Sequence, residues 1–422
     1  MFMPRSILNK EVREKVKEYK KADIVVGIPS YNNARTIPHV VRAVSAGLVK
    51  YFSKYNFVLI NSDGGSKDGT PNLVKETAVE DFDTILIEHP IHLINKIVTP
   101  YHGIPGKGSA FRTIFEIAHL LEAKACAVVD SDLRSITPEW MESLIEPILF
   151  HGFDFVAPLY QRHKYDGTIT NSIVYPLTRA LYGKRIRQPI GGEFGFSGEM
   201  LSHFLKNKKV YQTDVARYGI DIWMTTTSVA GGFKVCQSFL GAKIHNPKDP
   251  GADLSSMLSQ VVGSVFNLME THYDSWSGVT DSTPVPEFGF KFEVATDPVR
   301  VNLEGMVESF KYGVSDLVSV WDRFLSGDVL SELNRISSYN VLEFRLPAEL
   351  WVRIVYDFSL AFHKNIMTRE HILRSLTPLY LGRTASFVNE TMESSPPEVE
   401  EKIENLCQEF EKQKGYLLSR WK

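Results

Sequence analysis

Short apolar runs that stop abruptly at turn-forming residues recur through the first part of this 422-residue chain. The runs at 23–28, 57–61, 84–87, 125–129 and 154–158 are too short for helices and rich in β-branched side chains, which predicts buried strands. Helical patterns lie between them, among them one from Thr36 and one over 110–121. Such alternation predicts an α/β fold with a mostly parallel sheet. Right-handed crossovers then bring the loops that follow the strands to one edge. A further strand-like run ends at 240–247, and residues 5–21 predict a short charged helix. From 253 onward the period changes. Leu303, Met306, Val307 and Phe310 fall at i, i+3, i+4 and i+7, as do Leu317, Val320, Trp321 and Phe324, and Trp351, Ile354, Val355 and Phe358. These are amphipathic helices whose aromatic stripes are core, and a charged helix follows over 396–422. The division expected is an α/β domain over 1–252 and a mainly helical lobe over 253–422 with a face for homodimer formation.

Composition narrows the class. A net charge of -3 argues against a nucleic-acid binder. Cys126, Cys236 and Cys407 are too few and too scattered for a disulfide framework or a thiolate metal cluster, which predicts a cytoplasmic protein. The first residues carry no signal-peptide core, and no apolar run nears the ~20 residues of a membrane span.

Candidate chemistry sits where the strands end. Asp130 and Asp132 follow the fourth strand. Continued extended geometry would put both carboxylates on one face, where a hard cation such as Mg²⁺ or Mn²⁺ relieves their repulsion and binds phosphates; equally, they are two solvated acids at a strand end. Pro29, Ser30, Tyr31, Asn32 and Asn33 enforce a turn after the first strand and offer amide groups to a base or ribose. The loop at 62–70 places Asp63 beside Gly64 and Gly65. Pro105-Gly106-Lys107-Gly108 leads into a helix, a setting that favours an anion, with Lys107 as a point charge. The polar run at 160–171 could hold a polyhydroxy or carboxylate ligand. Glu193, in a Gly-rich stretch, is a candidate acceptor for sugar hydroxyls; Asp221 is either that or a helix N-terminal charge. His245 is a candidate metal ligand or a structural histidine.

This set resembles the GT-A nucleotide-sugar glycosyltransferases, on the residues at 29–33, 63–70, 105–108 and 130–132, over about the first 250 residues. Within them, 188–193 (Gln-Pro-Ile-Gly-Gly-Glu) and 244–247 (Ile-His-Asn-Pro) resemble the retaining glucosyl-3-phosphoglycerate and glucosylglycerate synthases. The resemblance implies a Rossmann-like GT-A fold and a helical lobe covering the acceptor side. It implies that Pro29, Ser30, Tyr31, Asn33, Asp63, Gly64, Asp130 and Ser131 bind the sugar nucleotide, with Lys107 at the diphosphate. Asp132 and His245 would hold Mg²⁺ or Mn²⁺, and Asp132, Lys107, Glu193 and Asp221 would form the catalytic set. Arg162, Gly167, Thr168, Ile169, Thr170 and Asn246 would face the acceptor. In the phosphoglycerate-using relatives the acceptor loop resembles Gly-Arg-Val-Thr, whereas this chain has Gly167-Thr168-Ile169-Thr170. A hydroxyl lacks bidentate phosphate recognition. The expected reaction is therefore glucosyl transfer from a nucleoside diphosphate glucose to D-glycerate, giving glucosylglycerate, a compatible solute. 3-Phosphoglycerate as acceptor, a mannosyl donor, a nucleotidyltransferase and an inactive sugar-nucleotide-binding regulator are the alternatives.

Overall fold

The computed structural model describes residues 7–77, 95–100, 106–244, 255–292, 294 and 296–422. Ten strands follow in chain order: β1 Ile24–Ser30, β2 Phe57–Asp63, β3 Asn95–Pro100, β4 Ala125–Val128, β5 Phe155–Gln161, β6 Lys184–Arg185, β7 Phe194–Ser197, β8 Val235–Ala242, β9 Thr283–Pro284 and β10 Glu287–Phe288. Eight form one sheet in the order β10-β8-β5-β7-β4-β1-β2-β3, and β6 pairs with β9. Within the sheet β7 runs antiparallel to both β4 and β5; every other pairing is parallel. β1 and β2 are buried at all positions, as unbroken apolar strands covered on both faces must be.

The strands expected at 23–28, 57–61, 125–129 and 154–158 are present, and β1 runs on through Pro29 and Ser30. The strand expected at 84–87 lies outside the described residues. Five strands had no forecast: β3, the two-residue β6, β9 and β10, and β7, whose Phe-Gly-Phe-Ser lies in a Gly-rich stretch that reads as close backbone packing near a ligand. The helices expected at 5–21, from Thr36, over 110–121 and over 396–422 are found as Lys10–Tyr19, Ile37–Phe52, Lys107–Leu120 and Pro396–Trp421. The last is started by a capping box between Ser395 and Glu398.

The chain divides into two compact units. Met1–Gln161, Ile186–Asn246 and Val285–Thr296 form the sheet unit; Arg162–Arg185, Pro247–Pro284 and Asp297–Lys422 form the helical unit. The division is interleaved where a single cut at 252 was expected, and pairing explains why. β10 returns to β8. Arg179, on the helix Tyr175–Tyr182, is 1% exposed and gives its guanidinium to Glu404 and Glu411 of the last helix. No helix among the described residues is long and apolar enough to cross a membrane.

In the helical unit Leu303, Met306, Val307 and Phe310 are buried, as are Trp351, Ile354, Val355 and Phe358; in the middle stripe only Trp321 is fully so. Asp357 is buried on this apolar face. Its Oδ1 accepts from the Tyr416 hydroxyl, and Oδ2 has no partner among the described residues. Burial pushes its carboxyl up to about 6. The folded chain therefore holds this proton more tightly than the unfolded one, and the associated stability is lost as pH rises from about 4 to about 6. Denaturant unfolding at several pH values checks this. Relative to Asp357→Asn, the wild type is expected to lose about 3 kcal/mol over that window and nothing further above it.

Candidate active site

In the order β3-β2-β1-β4 the chain leaves β1 to one side and returns to β4 on the other. Ligands of open parallel sheets bind in the crevice at such a reversal, beyond the carboxyl ends of the strands. The loops after β1, β2 and β4 meet there and are laced together. Asp63 is buried, and its carboxylate accepts four bonds: Gly65 N and Ser66 N at 2.9 and 2.8 Å, and the Ser30 and Ser66 hydroxyls at 2.8 and 2.6 Å. Gly64 N donates to Ser30 O at 2.7 Å. Asn33 Oδ1 accepts from Tyr31 N and from the Ser131 hydroxyl, and Thr36 Oγ1 donates to Ser131 O at 2.7 Å. Pro29, next to last in β1, stands in register with Ser62. Tyr31, 62% exposed, projects from this lip.

Asp130 lies two residues past β4. The chain turns at Ser131–Asp132, so the alternation expected to converge the two carboxylates does not persist. Instead Asp130 is clamped between two lysines, with Lys107 Nζ at 2.8 Å from one oxygen and Lys243 Nζ at 3.0 Å from the other. Lys107 is the first residue of its helix; it also donates to Asp221 at 3.2 Å and to Gly192 O at 3.4 Å. Lys243 directly follows β8 and also donates to Gly191 O at 2.7 Å and to Glu193 at 2.9 and 3.0 Å. Glu193 directly precedes β7; because that strand is antiparallel, its start lies at the same edge as the end of β4. Its Oε2 also accepts from the Tyr160 hydroxyl. Asp221 stands in the first turn of the helix Ile220–Ala230, and its Oδ1 is buried with no partner among the described residues.

A lysine ammonium has three donors, so Lys107 is saturated by Asp130, Asp221 and Gly192. The long contact to Gly192 O is the one that a diphosphate oxygen would replace at least cost. Glu193 is fully buried and held by Lys243 and Tyr160, so in this arrangement it cannot touch a ligand directly. Burial lifts the Glu193 and Asp221 carboxyls above their usual range against the pull of the lysines. Burial acts the same way on Asp130, but Lys107 and Lys243 outweigh it and hold that carboxyl far down. Burial disfavours the Lys107 ammonium, yet Asp130 and Asp221 hold it charged.

Close packing fixes the glycines. A Cβ on Gly192, whose φ is +101°, would lie 2.4 Å from Asp130 Oδ2 and 2.8 Å from Lys243 Nζ. Gly106 and Gly108 let the Lys107 helix press onto the backbone of 215–217, where added Cβ atoms would come within 2.5 and 1.9 Å.

No group of three or more His, Cys, Asp or Glu spaced to hold a metal ion occurs among the described residues. Asp130 is committed to lysines. Asp132, partly exposed on the turn, has no partner among the described residues and is a suitable hard-cation donor. His245 and Asn246 lie outside them, as does Pro105.

Residues 25–200 match the model of glycosyl transferase family 2. The matched segment contains β1 through β7, the interlaced loops, Lys107, Asp130, Asp132 and Glu193. No curated protein matches the chain. Among solved structures, glucosyl-3-phosphoglycerate synthase from Mycobacterium tuberculosis with Mn²⁺, UDP and glucosyl-3-phosphoglycerate is 20% identical at a TM-score of 0.44, covering 64% of this chain and 87% of that one. The same enzyme with Mn²⁺, UDP-glucose and phosphoglyceric acid is 21% identical at 0.43, covering 63% and 86%.

The expected acceptor residues Arg162, Gly167, Thr168, Ile169 and Thr170 belong to the helical unit. Thr168, Ile169 and Thr170 are buried, and Thr168 Oγ1 is 2.5 Å from the Tyr380 hydroxyl. Gly167 has a φ of +70°, and a Cβ there would lie 2.9 Å from Arg162 Nη1. Sequence reasoning missed Lys243 and Tyr160. The signal for Lys243 was its place: the first polar residue after an apolar strand, at the edge where the other loops emerge.

Proposed function

We propose that this chain is a retaining glycosyltransferase that moves glucose from a nucleoside diphosphate glucose to the 2-hydroxyl of D-glycerate. The observation that carries the reading is the buried Lys107–Asp130–Lys243–Glu193 cluster with Asp221, at the switch point of a parallel sheet, largely within the segment that matches the family model. The interlaced loops after β1 and β2 would seat the nucleoside, with Tyr31 against the base. Asp221 Oδ1, buried without a partner among the described residues, would accept from a sugar hydroxyl.

Asp132, with His245, would hold Mg²⁺ or Mn²⁺, which when bound supplies charge neutralisation at the diphosphate. Lys107 sits in a water-poor cluster and adds fixed positive charge where the leaving phosphate becomes more negative, a setting in which one well-placed donor is worth ~3–4 kcal/mol. Glu193 holds Lys243, and Lys243 holds Asp130. Asp130 and Glu193 are tied to lysines, and Asp221, held by Lys107 through Oδ2, gives Oδ1 to a sugar hydroxyl in this reading, which leaves no buried acid the role of attacking the anomeric carbon. We therefore favour attack from the face the phosphate leaves, with a phosphate oxygen taking the acceptor proton.

The test is turnover with a panel of sugar nucleotides, each offered with D-glycerate or 3-phosphoglycerate, with products identified by mass and anomeric configuration by NMR. An α-linked glucosylglycerate is expected. A nucleotidyl product, or no turnover with any pair in the presence of either metal, would remove the reading.

A further inference from the structure

Tyr160, near the end of β5, is buried and borders the lysine–carboxylate cluster of the sheet unit. Its hydroxyl donates to Glu193 Oε2, and Lys243 Nζ lies 5.6 Å from the centre of its ring. Trp140 packs against the ring at 5.9 Å and keeps it in place.

An irregularity in the sheet brings Tyr160 and Lys243 together. Pairing steps from Leu159–Phe239 to Gln161–Ala242, so β8 spends three residues where β5 spends two. The added residue falls at Leu240–Gly241, where Gly241 takes a φ of +77°. One extra residue reverses the alternation of the side chains that follow. Lys243 therefore leaves β8 on the face of Tyr160, where a regular strand would send it to the face of Gln161.

Three carboxyls face two ammoniums here: Asp130, Glu193 and Asp221 against Lys107 and Lys243. Acids outnumber bases by one, and Lys243 divides its charge between Asp130 and Glu193. Glu193 is fully buried, where a carboxylate is costly unless it is paired and hydrogen-bonded, and burial favours its neutral form. Among the described residues its only donor besides Lys243 is the Tyr160 hydroxyl. A hydrogen bond to the charged form of an acid favours that form. Without it, Glu193 must take up a proton or draw Lys243 away from Asp130.

We propose that Tyr160 is a positioning residue: its hydroxyl keeps Glu193 ionised, and Glu193 in turn holds Lys243 in its span to Asp130. The bearing of Tyr160 on catalysis rests on the transferase reading; its bearing on the charge of Glu193 does not.

Infrared titration of the full chain, without sugar nucleotide or metal, tests the charge. The protonated-carboxyl stretch of Glu193 is the band that Glu193→Gln removes. Isotopic labelling of glutamate carboxyl carbons separates it from aspartate bands even if Glu193→Gln does not fold. In Tyr160→Phe the band is expected at least about one pH unit higher than in the wild type, a tenfold gain in proton affinity. The acid limb of the transfer rate should move up by a similar amount, whereas a packing defect would lower the rate at every pH and leave the limb in place. Glu193 protonated in the wild type at neutral pH, or an unmoved band in Tyr160→Phe, overturns the proposal. An unmoved acid limb beside a shifted band overturns the part of Tyr160 in transfer. A shifted band with no turnover by the wild type would remove the transferase reading and leave the hold of Tyr160 on Glu193 standing.

Discussion

Lys243→Met is expected to lower transfer by a hundredfold or more and to destabilise the sheet unit by about 3–5 kcal/mol, the range for removing one partner from a buried ion pair. The methionine fills the space of the lysine stem but leaves Asp130 with Lys107 alone and Glu193 with only Tyr160. Two buried acids then face each other across the gap, and one must take up a proton. Lys243→Arg, which keeps the charge but not the compact ammonium, should recover stability in part and activity less, since Gly192 leaves no room beside Asp130. Chemical denaturation and steady-state rates on both variants check this. Full activity in Lys243→Met would mean that the cluster is no part of the site.

Asp132→Ala should abolish transfer and leave the fold intact. The side chain is partly exposed and has no partner among the described residues, so its loss uncovers nothing, and stability is expected to stay within about 0.5 kcal/mol. The donor should still bind through the β1 and β2 loops, while the dependence of its affinity on Mg²⁺ or Mn²⁺ disappears. Titrating donor with and without metal separates these effects, and an active Asp132→Ala enzyme would contradict the metal role.

β1, β2, β4 and β5 were legible because each contains an unbroken apolar run, and the loops after β1, β2 and β4 because their turn residues are distinctive. β7 was hidden because two strand positions out of four are not apolar side chains and its neighbours are glycines, while its formation depends on pairing with β4 and β5. The interleaved units were hidden for a similar reason: 162–185 has no local feature that says it will pack with a helix more than two hundred residues later. At the site, residue types were readable but partners were not. Asp130 and Asp132 looked like one pair by spacing, yet a turn and two lysines separate their roles. Asp63 and Glu193 looked like ligand contacts, and each is engaged in holding its own surroundings.

Both lysines at the crevice meet their acids and carbonyls in the described chain itself. Their dehydration is therefore settled when the polypeptide folds, well before any reactant arrives. Under the proposed function, an incoming diphosphate would meet charges already fixed in place, and little of its affinity would be drained into arranging them.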